Sequence, residues 1–158
     1  MTRMAVDQIL YLLDEAFDGG GWHSLLTNLT TVTLNDWSGP PPGGKRSIRD
    51  LVQHVGACKL MYDNHAFGAA DLRWGSPAVE GMGRIDSIAA ATEWLREGQA
   101  RLRRSVAALG DADLIRVRKT HWGEMKETRW IVRTMIEHDL YHAGEINHVR
   151  ALLQQNDS

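Results

Sequence analysis

The sequence predicts an all-α protein, a four-helix bundle of the single-domain kind spanning residues 1–158. Three observations carry that expectation. Apolar residues recur at helical spacing in four separate segments, and glycine- and proline-rich stretches separate them. The three longest segments each have the length of a bundle helix. Hydrophobic residues make up 43% of the 158 and charged residues 24%, the balance of an ordinary packed domain. A chain of this size buries roughly 68–70% of its unfolded surface and needs no disulfide to hold its core.

The first helix is expected from about Met4 to Phe17, with Val6, Ile9, Leu10, Leu13 and Phe17 on one face. Gly19-Gly20-Gly21 stops it, because three consecutive glycines lose too much backbone freedom in a helix. Leu25, Leu26 and Leu29 suggest a further short helical piece. Asn35 to Gly44, with three successive prolines, reads as a loop. Ser47 is a good N-cap for the second helix, with Asp50 completing a variant of the capping box. The stripe Ile48, Leu51, Val52, Val55, Cys58 and Tyr62 follows, and the helix ends near Gly68.

Gly75, Pro77, Gly81 and Gly83 fill the next connection, and Asp86 is the expected N-cap of the third helix. There Ile88, Thr92, Leu95, Gln99, Leu102, Val106 and Leu109 alternate by four and three, the seam of a bundle helix. Gly110 suits the position just past its end. Residues 111–128 fit either a short hairpin or an irregular crossing. The fourth helix is expected from about Trp130 to Gln154.

Composition also excludes function classes. With 18 Lys+Arg against 20 Asp+Glu the formal net charge is −2, which argues against nucleic acid as a partner. No apolar run reaches the 18 or more residues of a spanning helix, so no membrane partner is expected. Asp7, Gln8 and Asp14 interrupt any signal-peptide core. The single Cys58 can form no internal disulfide, which suits a reducing compartment, and a cytoplasmic location is the expectation. There is no phosphate-binding glycine loop, no Ser/His/Asp order and no HExxH motif.

The seven histidines are the chemical signal. On a helical wheel with Ile131 at zero and about 100° per residue, Met135, Val149 and Leu153 fall within about 40° of it and define the inward face. His138 lands at about −20°, His142 at about +20° and Glu145 at about −40°, so two imidazoles replace core residues and a carboxylate follows on the same side. Imidazoles at i and i+4 lie about 6 Å apart at Cβ and can converge on one cation. Two buried histidines also need polar partners, and Glu145 can satisfy one as a plain acceptor. On residue chemistry alone, a metal site and a pair of hydrogen-bonded core histidines both stand.

A metal site needs a further ligand. His54 lies at the edge of the second helix's apolar stripe and, if the second and fourth helices are neighbours, completes a three-His set. His65 points the same way but sits about 16 Å further along the axis, too far to join. Cys58 can serve as a soft ligand, although a buried cysteine usually behaves as a small hydrophobe. His23, His65, His121 and His148 read as surface or satisfied residues, and Trp94 and Trp130 as packing. Three imidazoles leave coordination positions open, as catalytic divalent sites do, without naming the metal.

The segments Ser47-Ile-Arg-Asp-Leu-Val-Gln-His54-Val and Trp130-Ile-Val-Arg-Thr-Met-Ile-Glu-His138-Asp-Leu-Tyr-His142-Ala-Gly-Glu145-Ile give the chain the layout of a known family. It resembles the DinB/YfiT-like metalloenzymes, a likeness that covers most of the chain and is most specific at His142-Ala-Gly-Glu145-Ile. The resemblance implies a divalent metal, Zn or Ni foremost, held by His54, His138 and His142 with water completing the shell. It further implies thiol-dependent chemistry of the S-transferase, isomerase or hydrolase kind on a small-molecule substrate, with a low-molecular-weight thiol as cofactor, and a homodimer. Glu145 is then a candidate catalytic proton acceptor or a partner to a ligand histidine. A helical bundle that binds metal or a small molecule without catalysis is the alternative.

Overall fold

In a computed structural model, residues 3–155 are described. Four long helices carry the fold: α1 (Met4–Asp18), α4 (Ile48–Phe67), α6 (Ile88–Ala107) and α7 (Thr128–Gln154). Short helices α2 (Leu25–Leu29), α3 (Leu34–Trp37) and α5 (Pro77–Glu80) decorate the connections. A 3₁₀ turn (Asp111–Ile115) leads into a hairpin of β1 (Val117–Lys119) and β2 (Met125–Glu127). The hairpin is antiparallel, with Val117 opposite Glu127 and Lys119 opposite Met125. No described helix is long and apolar enough to cross a membrane.

Helices α1 and α4 each pack against both α6 and α7, so the bundle runs α1, α6, α4, α7 around its axis. The expected all-α bundle is what forms, with particular boundaries shifted for local reasons. Ser47 and Asp50 cap α4 reciprocally: the Asp50 N–H donates to Ser47 Oγ at 3.2 Å, and the Ser47 N–H donates to Asp50 Oδ2 at 2.8 Å. The cap of α6 is Ser87 and not Asp86, because the Ser87 hydroxyl takes the Ala90 N–H at 3.1 Å while Asp86 pairs outward with Arg49. Gly110 does not close α6 in a left-handed turn. Its φ is −102°, and it opens the 3₁₀ turn by donating to Asp113.

The stretch 35–44 is not wholly loop either. The Thr33 N–H and hydroxyl both donate to Asp36 Oδ2 at 2.8 Å, and the resulting turn of helix buries Trp37, whose indole N–H donates to the Ile85 carbonyl. Helix α7 begins at Thr128, two residues early, because Thr128 N–H and Oγ both bond the Arg116 carbonyl across the hairpin. Trp94 is packing, as expected: its ring lies so close to Gly56 that a Cβ there would overlap it.

The core falls into two large apolar clusters and a small third one of Ala57, Met61 and Val79. One large cluster contains Leu51, Val55, Leu95 and Ile146, and the other Val6, Leu13, Leu102, Ile131 and Met135. Between them, at the middle of the bundle, lies a polar layer. Lys59 Nζ donates to Asp139 Oδ2 at 2.6 Å and to Gln99 Oε1 at 2.8 Å, and both members of the ion pair are fully buried. Gln99 reaches on to the Leu13 carbonyl, and the Phe17 ring lies 5.0 Å from the ammonium. Helices α4 and α7 run antiparallel, since Arg46, just before α4, meets Glu145 and His54 meets His138, while Ala66 lies beside the hairpin that feeds Thr128.

Candidate metal centre

Helix α4 places His54 one turn before Cys58, and α7 places His138 and His142 one turn apart on its facing side. The antiparallel packing brings the three rings together. Ring centroids are 5.0 Å apart for His54 and His138, 5.0 Å for His54 and His142, and 4.4 Å for His138 and His142. One nitrogen from each ring lies within 4.8 Å of the other two, the sole such ligand cluster of three or more among the described residues. The closest approach is His138 Nε2 to His54 Nε2, at 3.1 Å. Two nitrogens held about 2.0–2.1 Å from one ion at near-tetrahedral angles stand about 3.3 Å apart, so the spacing fits a shared cation.

Burial keeps these imidazoles neutral, which is the form that ligates metal. It pulls His138 down to about 3, helped by the charges of His142, His54 and Lys59. It also lowers His54, reinforced by His142 and Arg46 against Glu145. His142 is lowered by burial despite its hydrogen bond to Glu145. His142 is buried, whereas His54 and His138 are half-buried, so the cluster opens on one side.

Glu145 bridges two partners. Its Oε2 lies 2.8 Å from His142 Nδ1, and its Oε1 takes a 2.7 Å bond from Arg46 Nη2. The carboxylate therefore fixes Nδ1 as the donor nitrogen of His142 and turns Nε2 toward the other rings, the arrangement that orients metal-ligating histidines. Arg46 carried no signal in the sequence. It follows a proline- and glycine-rich loop, 99 positions from the residue it holds.

Cys58 Sγ sits 3.8 and 3.9 Å from the two ring nitrogens of His54 but outside the mutual three-His cluster. Burial pushes its thiol up to about 12, so it stays protonated. The remaining histidines behave as expected. His23 and His148 are exposed, His65 Nε2 bonds the Leu72 carbonyl, and His121 Nδ1 accepts from the Trp74 indole at 3.3 Å. The expectation for Trp130 needs extending. Trp122, from the hairpin tip, bridges α4 and α7 with its ring 5.7 Å from Tyr62 and 6.1 Å from Trp130.

An antiparallel helix pair in a bundle, presenting three neutral imidazoles to one point with a carboxylate behind one of them, defines a class: helical bundles with a histidine cluster suited to a divalent metal. The sequence matches the DinB superfamily over residues 20–146, and the chain belongs to that superfamily. The matched span contains Arg46, all three clustered histidines and Glu145. No curated protein matches the chain.

Proposed function

We propose that this protein is a divalent-metal-dependent enzyme in which His54, His138 and His142 hold the ion, with Zn or Ni as the favoured metals. The 3.1 Å approach of two Nε2 atoms from different helices carries the reading, because three neutral donors converging beside an open face match a catalytic metal site more closely than a sealed structural one. When bound, such an ion lowers the pKa of a coordinated thiol or water and prepares it for attack on an electrophile.

The chain's own groups fill supporting roles. Glu145, with one oxygen on His142 and the other on Arg46, orients a ligand and is not positioned as a free base. Cys58 stays a buried thiol, so the reacting sulfur in a thiol-dependent reaction comes from a low-molecular-weight cofactor. The reaction class is S-transfer, isomerisation or hydrolysis of a small molecule, carried out by one domain in a cytoplasmic homodimer.

Metal analysis of protein purified without a His tag tests the site, and a screen of thiol and electrophile pairs tests the activity. Stoichiometric metal that His142→Ala abolishes, with turnover that His54→Ala abolishes, supports the proposal. Metal content that His142→Ala leaves unchanged overturns it. Metal binding without turnover assigns the protein to non-catalytic metal-binding bundles.

A further inference from the structure

The connection between α4 and α6 packs back onto both helices, with Val79 against Ala57 and Met61 and Gly81 against the Trp94 ring. It leaves a cavity of about 260 Å³ whose wall includes Leu60, Leu72, Trp94 and Gly98. The cavity shares no residue with the histidine cluster. Leu60 lies about 120° around α4 from His54, so the two sites occupy different faces of that helix.

The wall carries two donors without acceptors. Trp94 is 5% exposed and wedged between Gly56 and Gly81. Its indole N–H donates to no described residue, yet the nitrogen is not sealed from solvent. A buried indole N–H normally finds an acceptor, and this one opens on the cavity that Trp94 lines. Arg101, two turns further along α6, also lines the cavity. Its guanidinium makes no hydrogen bond to a described residue. Its ion-pair contact, from Nε to Asp63 Oδ2, is 3.8 Å long, while Asp63 Oδ1 accepts from the Ser105 hydroxyl at 2.6 Å.

Arg84 and Glu97 are the other charged residues of the wall, and they satisfy one another through 2.7 and 3.2 Å bonds. The unspent charge is therefore the Arg101 cation. Leu60 and Leu72 supply apolar surface, and Gly98 leaves the wall bare at mid-helix. A Cβ there would meet only Lys59, at an ordinary 3.6 Å, so packing does not exclude alanine and the glycine enlarges the cavity at a cost in helix propensity.

From the cavity and its two unpartnered donors, we infer a ligand site separate from the metal centre. It takes a small carboxylate with an apolar chain and a carbonyl toward the other end. The carboxylate pairs with Arg101, the chain lies on Leu60 and Leu72, and the carbonyl oxygen accepts from the Trp94 N–H. Trp94 and Arg101 stand about 10 Å apart along the α6 axis, and an arginine side chain leans back toward the N-terminal indole. A closed cavity of roughly 150 Å³ already admits benzene, so this one has room for a chain of about ten heavy atoms.

Titration of the full chain with 6-oxoheptanoate tests the site. The protein carries isotope-labelled tryptophan, with the Trp94 indole resonance assigned from the backbone. That resonance is expected to shift downfield and saturate. Heptanoate lacks the ketone and is expected to bind about threefold more weakly, and methyl 6-oxoheptanoate lacks the charge and is expected to bind about tenfold more weakly. Arg101→Gln, at a half-exposed position, is expected to weaken 6-oxoheptanoate about tenfold and to leave the ester's affinity unchanged. A dispersed spectrum from the variant excludes unfolding as the cause. A Trp94 resonance that does not move overturns the site, as does an affinity that Arg101→Gln leaves intact. Shifts confined to the neighbours of His54, His138 and His142 assign the carboxylate to the metal centre and exclude this site.

Discussion

His54 Nε2 and His138 Nε2, borne on different helices 84 residues apart in sequence, stand 3.1 Å from one another. Burial lowers both imidazoles, so neither brings a proton that would repel a cation. If the pair serves as two corners of a coordination shell, the ion binds the folded state and not the unfolded chain. At a free metal concentration a hundredfold above Kd, the stabilisation is about 2.7 kcal/mol, or roughly 5–10 °C in Tm for a chain of this size. Calorimetric scans with Zn²⁺ and then with chelator should show the shift appear and vanish. A His142→Ala protein that shifts as far as the unsubstituted one contradicts the assignment.

The same burial sets a pH dependence for the metal-free protein. His138 falls to about 3 in the folded chain, against about 6.5 when exposed. Between those values the unfolded chain binds the extra proton, so stability rises with pH across that window. It is complete above about pH 6.5 and is lost as pH falls toward 3, with His54 and His142 acting in the same direction. Ordinary carboxyls titrate near pH 4, so urea midpoints between pH 4.5 and 7.5 isolate the imidazoles. His138→Gln should flatten that slope, and an unchanged slope would falsify the account.

Glu145 acts through His142. Removing a carboxylate that orients a ligand imidazole typically weakens metal affinity about 10–100-fold. Glu145→Ala should fall in that range by competition with a fluorescent zinc indicator. Arg46→Ala should cost less, because its ion pair with Glu145 is half exposed and surface pairs contribute about 0–1 kcal/mol. Wild-type affinity in Glu145→Ala would show that His142 needs no such support.

The bundle, the Ser47 cap and the inward-facing His138 and His142 were legible in the sequence because each rests on a local pattern, whereas His54 joined them only through the condition that the second and fourth helices are neighbours and through the family resemblance. His138 and His142 declare their face through Ile131 and Met135, whichever helix lies opposite. Arg46, Trp122 and the Lys59–Asp139 pair were not legible, for one shared reason. Each gains its meaning only from a residue on another element, and a lysine or an aspartate in an amphipathic helix reads as solvated surface until packing buries it. The cap of α6 was missed by one residue, since Asp86 and Ser87 are both good N-caps and only tertiary pairing with Arg49 decides between them.

The Lys59–Asp139 layer yields the last expectation. Both charges are fully buried and separate the two large apolar clusters, so removing either strands the other in the core. Lys59→Met or Asp139→Leu alone should cost roughly 3–5 kcal/mol, whereas the double substitution should recover most of that loss, because an apolar replacement of a buried pair is often neutral. Urea denaturation of the three variants measures the cycle. Asp139 follows His138 on α7, so metal affinity in the double variant separates two roles for the layer. Unchanged affinity assigns the pair to core specification alone. A fall of tenfold or more shows that the ion pair also fixes the rotation of α7 that aims His138 and His142 at His54. Additive losses in the double variant would contradict the pairing itself.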